Sequence, residues 1–386
     1  MNSPDPAAIP LLDLKAQYAS IRDELDAALM RVVASQAFVL GPEVEAFEAE
    51  IADLLGVPHA IGCASGTDAL LLPLRALREG DREGDREGAG DEVIVPAFTF
   101  FATAGAVWNA GLRPVFCDVD PDTFTLTPET VEAVWSERTR AVVPVHLFGQ
   151  MAPMTGIRRI AAERGALVIE DAAQAIGARQ RTETGELRAG GAGDVGALSF
   201  FPTKNLGGFG EGGMVTTHDD EIARRVRALR VHGGRQMYHH EWVGTNSRLD
   251  ALQAAVLRVK LRHLEGWTER RRAHACRYHA RLGDLAEVTL PAVGDGAWHV
   301  YHQFTIRTPR RDALRGFLAD RGIGSGIYYP VPLHLQPSFR EIGGRPGDHP
   351  VAEGLCREVL SLPIFPELGA ERVDRVADAI HDFFAR

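Results

Sequence analysis

The chain has 386 residues, 45% hydrophobic and 24% charged, which suits a globular protein with room for two domains and a generous core. A formal net charge of -10 gives nucleic acid and anionic membrane surfaces nothing to attract, so both are excluded as partners. Four cysteines, Cys63, Cys117, Cys276 and Cys356, lack metal-ligand or CxxC spacing and read as small apolar residues in a reducing compartment, with no metal site. Asp5 stands where a secretory leader would carry basic charge, and no apolar run approaches membrane-spanning length. The expectation is a soluble cytoplasmic protein.

Leu14, Tyr18, Ile21, Leu25, Leu29 and Val32 recur at helical spacing, which predicts one amphipathic helix over residues 14–34. Gly41-Pro42 breaks the chain, and a second helix follows with Val44, Phe47, Ile51 and Leu54 on one face. Strands are then predicted at 60–63, 93–95, 114–117, 141–145 and 167–169. Helices are predicted between them at 67–77, 101–109, 128–137 and 153–164. This alternation implies βαβ units and a mostly parallel sheet covered on both faces, with ligands beyond the carboxyl ends of its strands.

Residues 78–90 repeat a four-residue Arg-Glu-Gly-Asp unit. Such composition cannot bury a core, so it reads as a charged surface loop, with a regulatory or interaction element as the alternative. Further on, 197–201 is predicted as a buried strand stopped by Pro202, 214–217 as another, and 219–230 as a helix capped by Asp219 or Asp220. A long helix begins at Asp250 with Leu252, Val256, Val259 and Leu264 as apolar positions. The remainder mixes strands (288–290, 303–306) with helices (312–321, 370–384). The chain thus divides into a large domain, 1–245, and a smaller α+β domain, 246–386, that begins with the long helix.

Three stretches carry chemistry. Lys204 stands alone between the apolar 197–201 run and the glycines of 207–213. An amine held in a dry pocket loses its proton readily, which makes Lys204 a candidate Schiff-base nucleophile; a solvated loop lysine is the alternative. Ser65-Gly66-Thr67 passes from strand into helix, where free N–H groups and hydroxyls bind phosphate, or where Ser simply caps the helix. Asp171 ends a buried strand and would reach the ligand crevice, while Glu170 points to the other face of the sheet. That acid could keep a pyridine nitrogen protonated or could cap the next helix, and Gln174 could lie along the same ligand or face solvent. Together the ordered set contains the parts of a pyridoxal phosphate site: a phosphate turn, a ring-nitrogen acid and an imine-forming lysine.

At this point the chain resembles the DegT-type nucleotide-sugar aminotransferases, pyridoxal phosphate enzymes of fold type I. The carriers are Gly41-Pro-Glu-Val44, Ser65–Leu70, Gly90–Phe100, Pro144–Gly149, Glu170–Gln174, Ser199–Gly213, Asn246–Asp250 and Tyr328–His334. The resemblance implies an α/β large domain with a mostly parallel seven-stranded sheet between helices. It implies Lys204 as the lysine that carries pyridoxal 5'-phosphate, Asp171 at the pyridine nitrogen and Gln174 at the ring's 3'-oxygen. Phe100 would stack on the ring, unless it is a core phenylalanine, and Ser65, Gly66, Thr67 and Ser199 would hold the phosphate. Asn246 would reach the phosphate of the partner subunit's cofactor, making the active unit a homodimer. The implied reaction transfers an amino group from glutamate to a nucleotide-linked keto-sugar. Arg248, Tyr328, Tyr329 and His334 resemble the substrate residues of members that aminate C3 of UDP-linked 2-acetamido-3-keto-hexuronic acids, although Arg248 could equally cap an interface loop. Rival expectations are a dTDP-keto-deoxysugar aminotransferase and a non-catalytic pyridoxal phosphate-binding regulator. A dehydratase of the same fold would carry histidine at 204, and no GxGxxG follows the early strands as a Rossmann dehydrogenase would need.

Overall fold

In the computed structural model, residues 8–80, 91–183, 185–236 and 238–386 are described. Most of the 78–90 repeat, expected as a surface loop, therefore lies outside them. Nine strands are labelled in chain order: β1 (His59–Cys63), β2 (Glu92–Pro96), β3 (Arg113–Cys117), β4 (Thr139–Val142), β5 (Leu167–Asp171), β6 (Arg179–Thr182), β7 (Gly185–Arg188), β8 (Val195–Ser199) and β9 (Gly213–Thr217). Seven of them form the central sheet in the order β1-β9-β8-β5-β4-β2-β3. Only β9 runs antiparallel, to both its neighbours. The expected mostly parallel sheet is present, and its strands are buried along nearly their whole length, as sheets covered on both faces must be.

The five leading helices are α1 (Leu14–Ser20), α2 (Arg22–Ser35), α3 (Pro42–Leu55), α4 (Gly66–Gly80) and α5 (Ala102–Asn109). The single helix expected over 14–34 is broken at Ile21, whose φ of -135° is not helical and whose side chain is buried. Asp13 caps α1 by accepting from the Lys15 and Ala16 amides, and the Ser20 hydroxyl donates to the Gln17 carbonyl, closing the short helix. The long helix expected from Asp250 is likewise two, Ala251–Leu261 and Leu264–Leu282, parted at Arg262-His263. Periodicity carried across both breaks because the apolar faces on either side stay in register.

Apolar side chains form two clusters. The larger surrounds the sheet and takes in α2, α3 and the helix Ala251–Leu261. The smaller gathers Tyr278, Phe304, Leu314, Leu360, Phe365 and Ile380 around an antiparallel pair, Phe304–Arg307 with Val359–Leu362. The strand expected at 288–290 is reduced to a single bridge, Thr289 to Arg307. No helix among the described residues is long and apolar enough to cross a membrane.

Candidate active site

The carboxyl ends of β1, β5 and β8 open onto one cleft of about 520 Å³. Its walls include Ser65, Gly66, Thr67, Phe100, Asp171, Gln174, Ser199, Lys204, Tyr328 and Tyr329. Eight of the nine cofactor and catalytic residues expected from sequence line it, Asn246 being the exception, and the two tyrosines of the substrate set join them. The topology explains this: parallel strands deliver their final residues to the same edge.

At one end of the cleft, β1 turns into α4. The Ser65 hydroxyl accepts from the Asp68 amide at 3.1 Å, a cap that leaves the first N–H groups of the helix directed outward. Here glycine is required by space. A Cβ on Gly66 would stand 2.5 Å from the Ser199 Cβ, and one on Gly213 would stand 2.2 Å from the Ser65 carbonyl oxygen. Ser199 at the end of β8 is therefore pressed against the helix start. Hydroxyls and backbone N–H groups share one small recess, a cradle suited to a phosphate.

Lys204 follows Pro202 in a turn closed by its own N–H to the Phe201 carbonyl at 2.9 Å. Its side chain enters the cleft, and burial pushes the amine down to about 8 against an opposing pull from Asp171. Asp171 is buried at the end of β5, and burial raises its carboxyl above the ordinary range. Two donors hold it: the Thr103 hydroxyl at 2.7 Å and the Ala173 amide at 3.2 Å. Among the described residues no cation lies within ion-pair distance of it. A buried carboxylate facing a cleft with no bonded cation fits a ligand that brings its own positive charge, such as a protonated pyridine nitrogen.

Glu170 faces the other way, as alternation along the strand requires. It accepts from the Gly190, Ala192 and Gly193 amides at 2.9, 2.7 and 2.6 Å and lies 2.7 Å from the His146 ring. Gln174 is fixed from both ends, its Oε1 accepting from the Phe148 amide at 2.8 Å and its Nε2 donating to the Tyr329 hydroxyl at 3.1 Å. Phe148 holds a left-handed φ of 59° to make that bond. The Phe100 ring is 54% exposed and lies 5.9 Å from Tyr329, so it is a cleft wall rather than a core phenylalanine.

Three expected residues do not line the cleft: Asn246, Arg248 and His334. Asn246 is exposed and Arg248 half-buried, on a loop whose Ser247 hydroxyl donates to Asp68 of α4 at 2.7 Å and accepts from the Ala64 amide at 3.2 Å. The loop is thus anchored beside the Ser65-Gly66-Thr67 turn. His334, expected as a substrate residue, is not among the residues lining the cleft. Its side chain is sealed at 0% exposure and pairs with Glu353 at 3.1 Å. Sequence reasoning missed Thr103, Asn205, Glu211 and His302; all but Thr103 and Asn205 line the cleft directly. No sequence signal marks Thr103, an ordinary helix residue, or His302, which comes from a remote segment.

A family model described as the DegT/DnrJ/EryC1/StrS aminotransferase family matches residues 19–381. The chain belongs to this family. Its members depend on pyridoxal phosphate, and the fold is fold type I. A Geobacillus stearothermophilus relative named a pleiotropic regulatory protein is 49% identical over 381 residues, 97% of this chain and 98% of its own. An Acidithiobacillus ferrooxidans relative, UDP-N-acetyl-3-dehydro-α-D-glucosamine 3-aminotransferase, is 48% identical over 374 residues, 97% of each chain. A Streptomyces venezuelae relative, dTDP-3-amino-3,4,6-trideoxy-α-D-glucose transaminase, is 47% identical over 378 residues, 98% of this chain and 97% of its own. Among solved structures, S. venezuelae DesV in complex with a ketimine intermediate matches with a TM-score of 0.92 and 47% identity, covering 98% of this chain and 99% of that one. The protein is a sugar aminotransferase.

Proposed function

We propose that this protein transfers an amino group from glutamate to C3 of a UDP-linked 3-keto-hexose, using pyridoxal phosphate held at Lys204. The observation that carries it is the convergence of Lys204, Asp171 and Gln174 on one cleft whose end is the Ser65-Gly66-Thr67 and Ser199 cradle. When bound there, pyridoxal phosphate supplies an electron sink for carbanion character at the donor's α-carbon. Asp171 would keep a proton on the ring nitrogen, and Gln174 offers an amide hydrogen to the 3'-oxygen. The cradle would hold the phosphate. Lys204, its amine poised near 8, would take the proton from the donor's α-carbon and return it on the acceptor's side.

C3 is favoured because the similar UDP- and dTDP-sugar relatives are both named for chemistry at that carbon. UDP is favoured by the A. ferrooxidans relative, whose acceptor carries no carboxylate. The narrower hexuronic acid reading needs a cation for the acid, and Arg248 could supply one only to the partner subunit's cleft. A homodimer with shared sites is part of this reading, and it is supported by Asn246 and Arg248 not lining their own cleft. The S. venezuelae relative favours a dTDP-linked acceptor as the second reading. The test is a spectrum of purified protein titrated with glutamate, then with a panel of UDP- and dTDP-linked 3-keto-sugars. Conversion to the amine form by glutamate and its reversal by a UDP-linked 3-keto-hexose are expected. Reversal by dTDP-sugars alone selects the second reading, and no conversion by any amino acid removes turnover altogether.

A further inference from the structure

Only three of the 42 Lys and Arg residues are lysines: Lys15, Lys204 and Lys260. Lys15 is exposed and Lys204 carries the chemistry proposed above, which leaves Lys260 without a task. Lys260 lies on the helix Ala251–Leu261 and is buried at 3% exposure. Burial pushes its amine down to about 8 against the pull of Glu367, so near neutrality it remains an ammonium. Its Nζ donates to the Gly207 carbonyl at 2.7 Å and lies 5.0 Å from the centre of the Phe209 ring. Two turns earlier on the same face of the helix, the Gln253 Oε1 accepts from the Phe209 amide at 2.7 Å.

Both contacts fall on the return limb of the loop that carries Lys204. That loop leaves the end of β8 at Phe200 and closes where the Gly208 amide donates to the Phe200 carbonyl at 2.8 Å. The two helix contacts, at Gly207 and Phe209, flank this closing bond. Glycine lets the helix come so near: a Cβ on Gly208 would stand 2.6 Å from the Gln253 Oε1, and one on Gly207 would stand 2.3 Å from the Pro202 carbonyl oxygen. Inside the loop, next to Lys204, the Asn205 Nδ2 donates to the Val300 carbonyl at 3.3 Å. The loop is thus held at its tip by Asn205 and at its base by the helix.

We propose that Lys260 and Gln253 are positioning residues for Lys204, clamping the backbone at Gly207 and Phe209 so that the loop holds the Lys204 side chain in the cleft. Neither touches the reacting groups. A charged donor makes the bond to the Gly207 carbonyl stronger than a neutral one would. This rests on Lys204 being the reactive amine, but not on which sugar is aminated.

The test reads the Lys204 amine without cofactor. Cofactor-free protein is treated with an amine-selective acylating reagent across pH, and modification of the Lys204 peptide is followed by mass spectrometry. A loop released towards water resolvates the amine, whose midpoint then rises from about 8 towards 10.5. Gln253→Met removes an acceptor without altering charge and should raise the midpoint by about one pH unit, tenfold in the equilibrium. Lys260→Met should raise it at least as far. Val259→Ala, one residue away and buried in the larger apolar cluster, removes packing but no bond to the loop and should leave the midpoint unchanged. A wild-type midpoint in Gln253→Met overturns the proposal, even if Lys260→Met shifts, since the latter alone would report a lost charge. An equal rise in Val259→Ala overturns it too, because general loosening of the helix would then explain the effect. Failure of cofactor capture at Lys204 is a separate readout, by borohydride reduction, and would sink the transaminase chemistry while leaving this titration intact.

Discussion

Lys204 and Asp171 shift in opposite senses for the same reason, removal from water, and each partly restrains the other. For the amine this means that the reactive, unprotonated form dominates above about 8 rather than above 10.5. Capture of pyridoxal phosphate by cofactor-free protein should therefore accelerate with rising pH up to about 8 and then level off, as followed by stopped-flow absorbance. A rate still climbing steeply at pH 10 would place the amine in water. For the acid, Asp171→Asn should leave cofactor attachment intact and slow the glutamate half-reaction by roughly a hundredfold or more, the scale of losing one preorganised charge. Thr103→Val removes the hydroxyl that lowers the Asp171 carboxyl and should cost about tenfold in the same half-reaction. These roles were legible to different degrees. Asp171 announced itself as an acid ending an apolar run, whereas Thr103 is an ordinary helix residue until β5 is placed beside α5. His334 shows the converse. It sits in a motif with two cleft tyrosines, but the turn after Pro332 buries it against Glu353.

At the scale of elements, the site depends on three strand ends being held closer than side chains normally allow. Gly66→Ala would drive a methyl to within 2.5 Å of the Ser199 Cβ. The variant should lose about 1–3 kcal/mol of stability to overpacking. Its affinity for pyridoxal phosphate should fall at least tenfold, measurable by equilibrium titration, because the cradle widens. On the far face of β5, Glu170→Ala strands the three amides that it binds and should cost about 3–5 kcal/mol in denaturant unfolding without touching the cleft chemistry directly. The strands themselves were readable as short apolar runs between glycine and proline punctuation. Helix breaks at Ile21 and Arg262 were not, since a turn that preserves the direction of an apolar face leaves the hydrophobic period undisturbed. Nor could periodicity reveal that β9 returns antiparallel between β1 and β8, because a fully buried strand reads the same in either direction.

At the scale of the whole molecule, two of the expected site residues do not line the cleft. The Asn246–Arg248 loop is tied by Ser247 to Asp68 and the Ala64 amide beside the cradle, while neither Asn246 nor Arg248 lines the cleft. If those side chains complete a second cleft, then Lys204→Ala and Arg248→Ala chains, each nearly inactive, should complement one another on mixing. Random reassortment of equal amounts gives roughly a quarter of wild-type activity, since half the dimers then hold one intact site of two. No recovery after verified subunit exchange would confine each site to one chain. The central claim remains the covalent role of a single amine. Borohydride treatment of cofactor-loaded protein, followed by peptide mass spectrometry, should place the reduced cofactor on Lys204, and prior addition of glutamate should abolish the adduct. An adduct on another residue, or one that survives glutamate, would contradict the account.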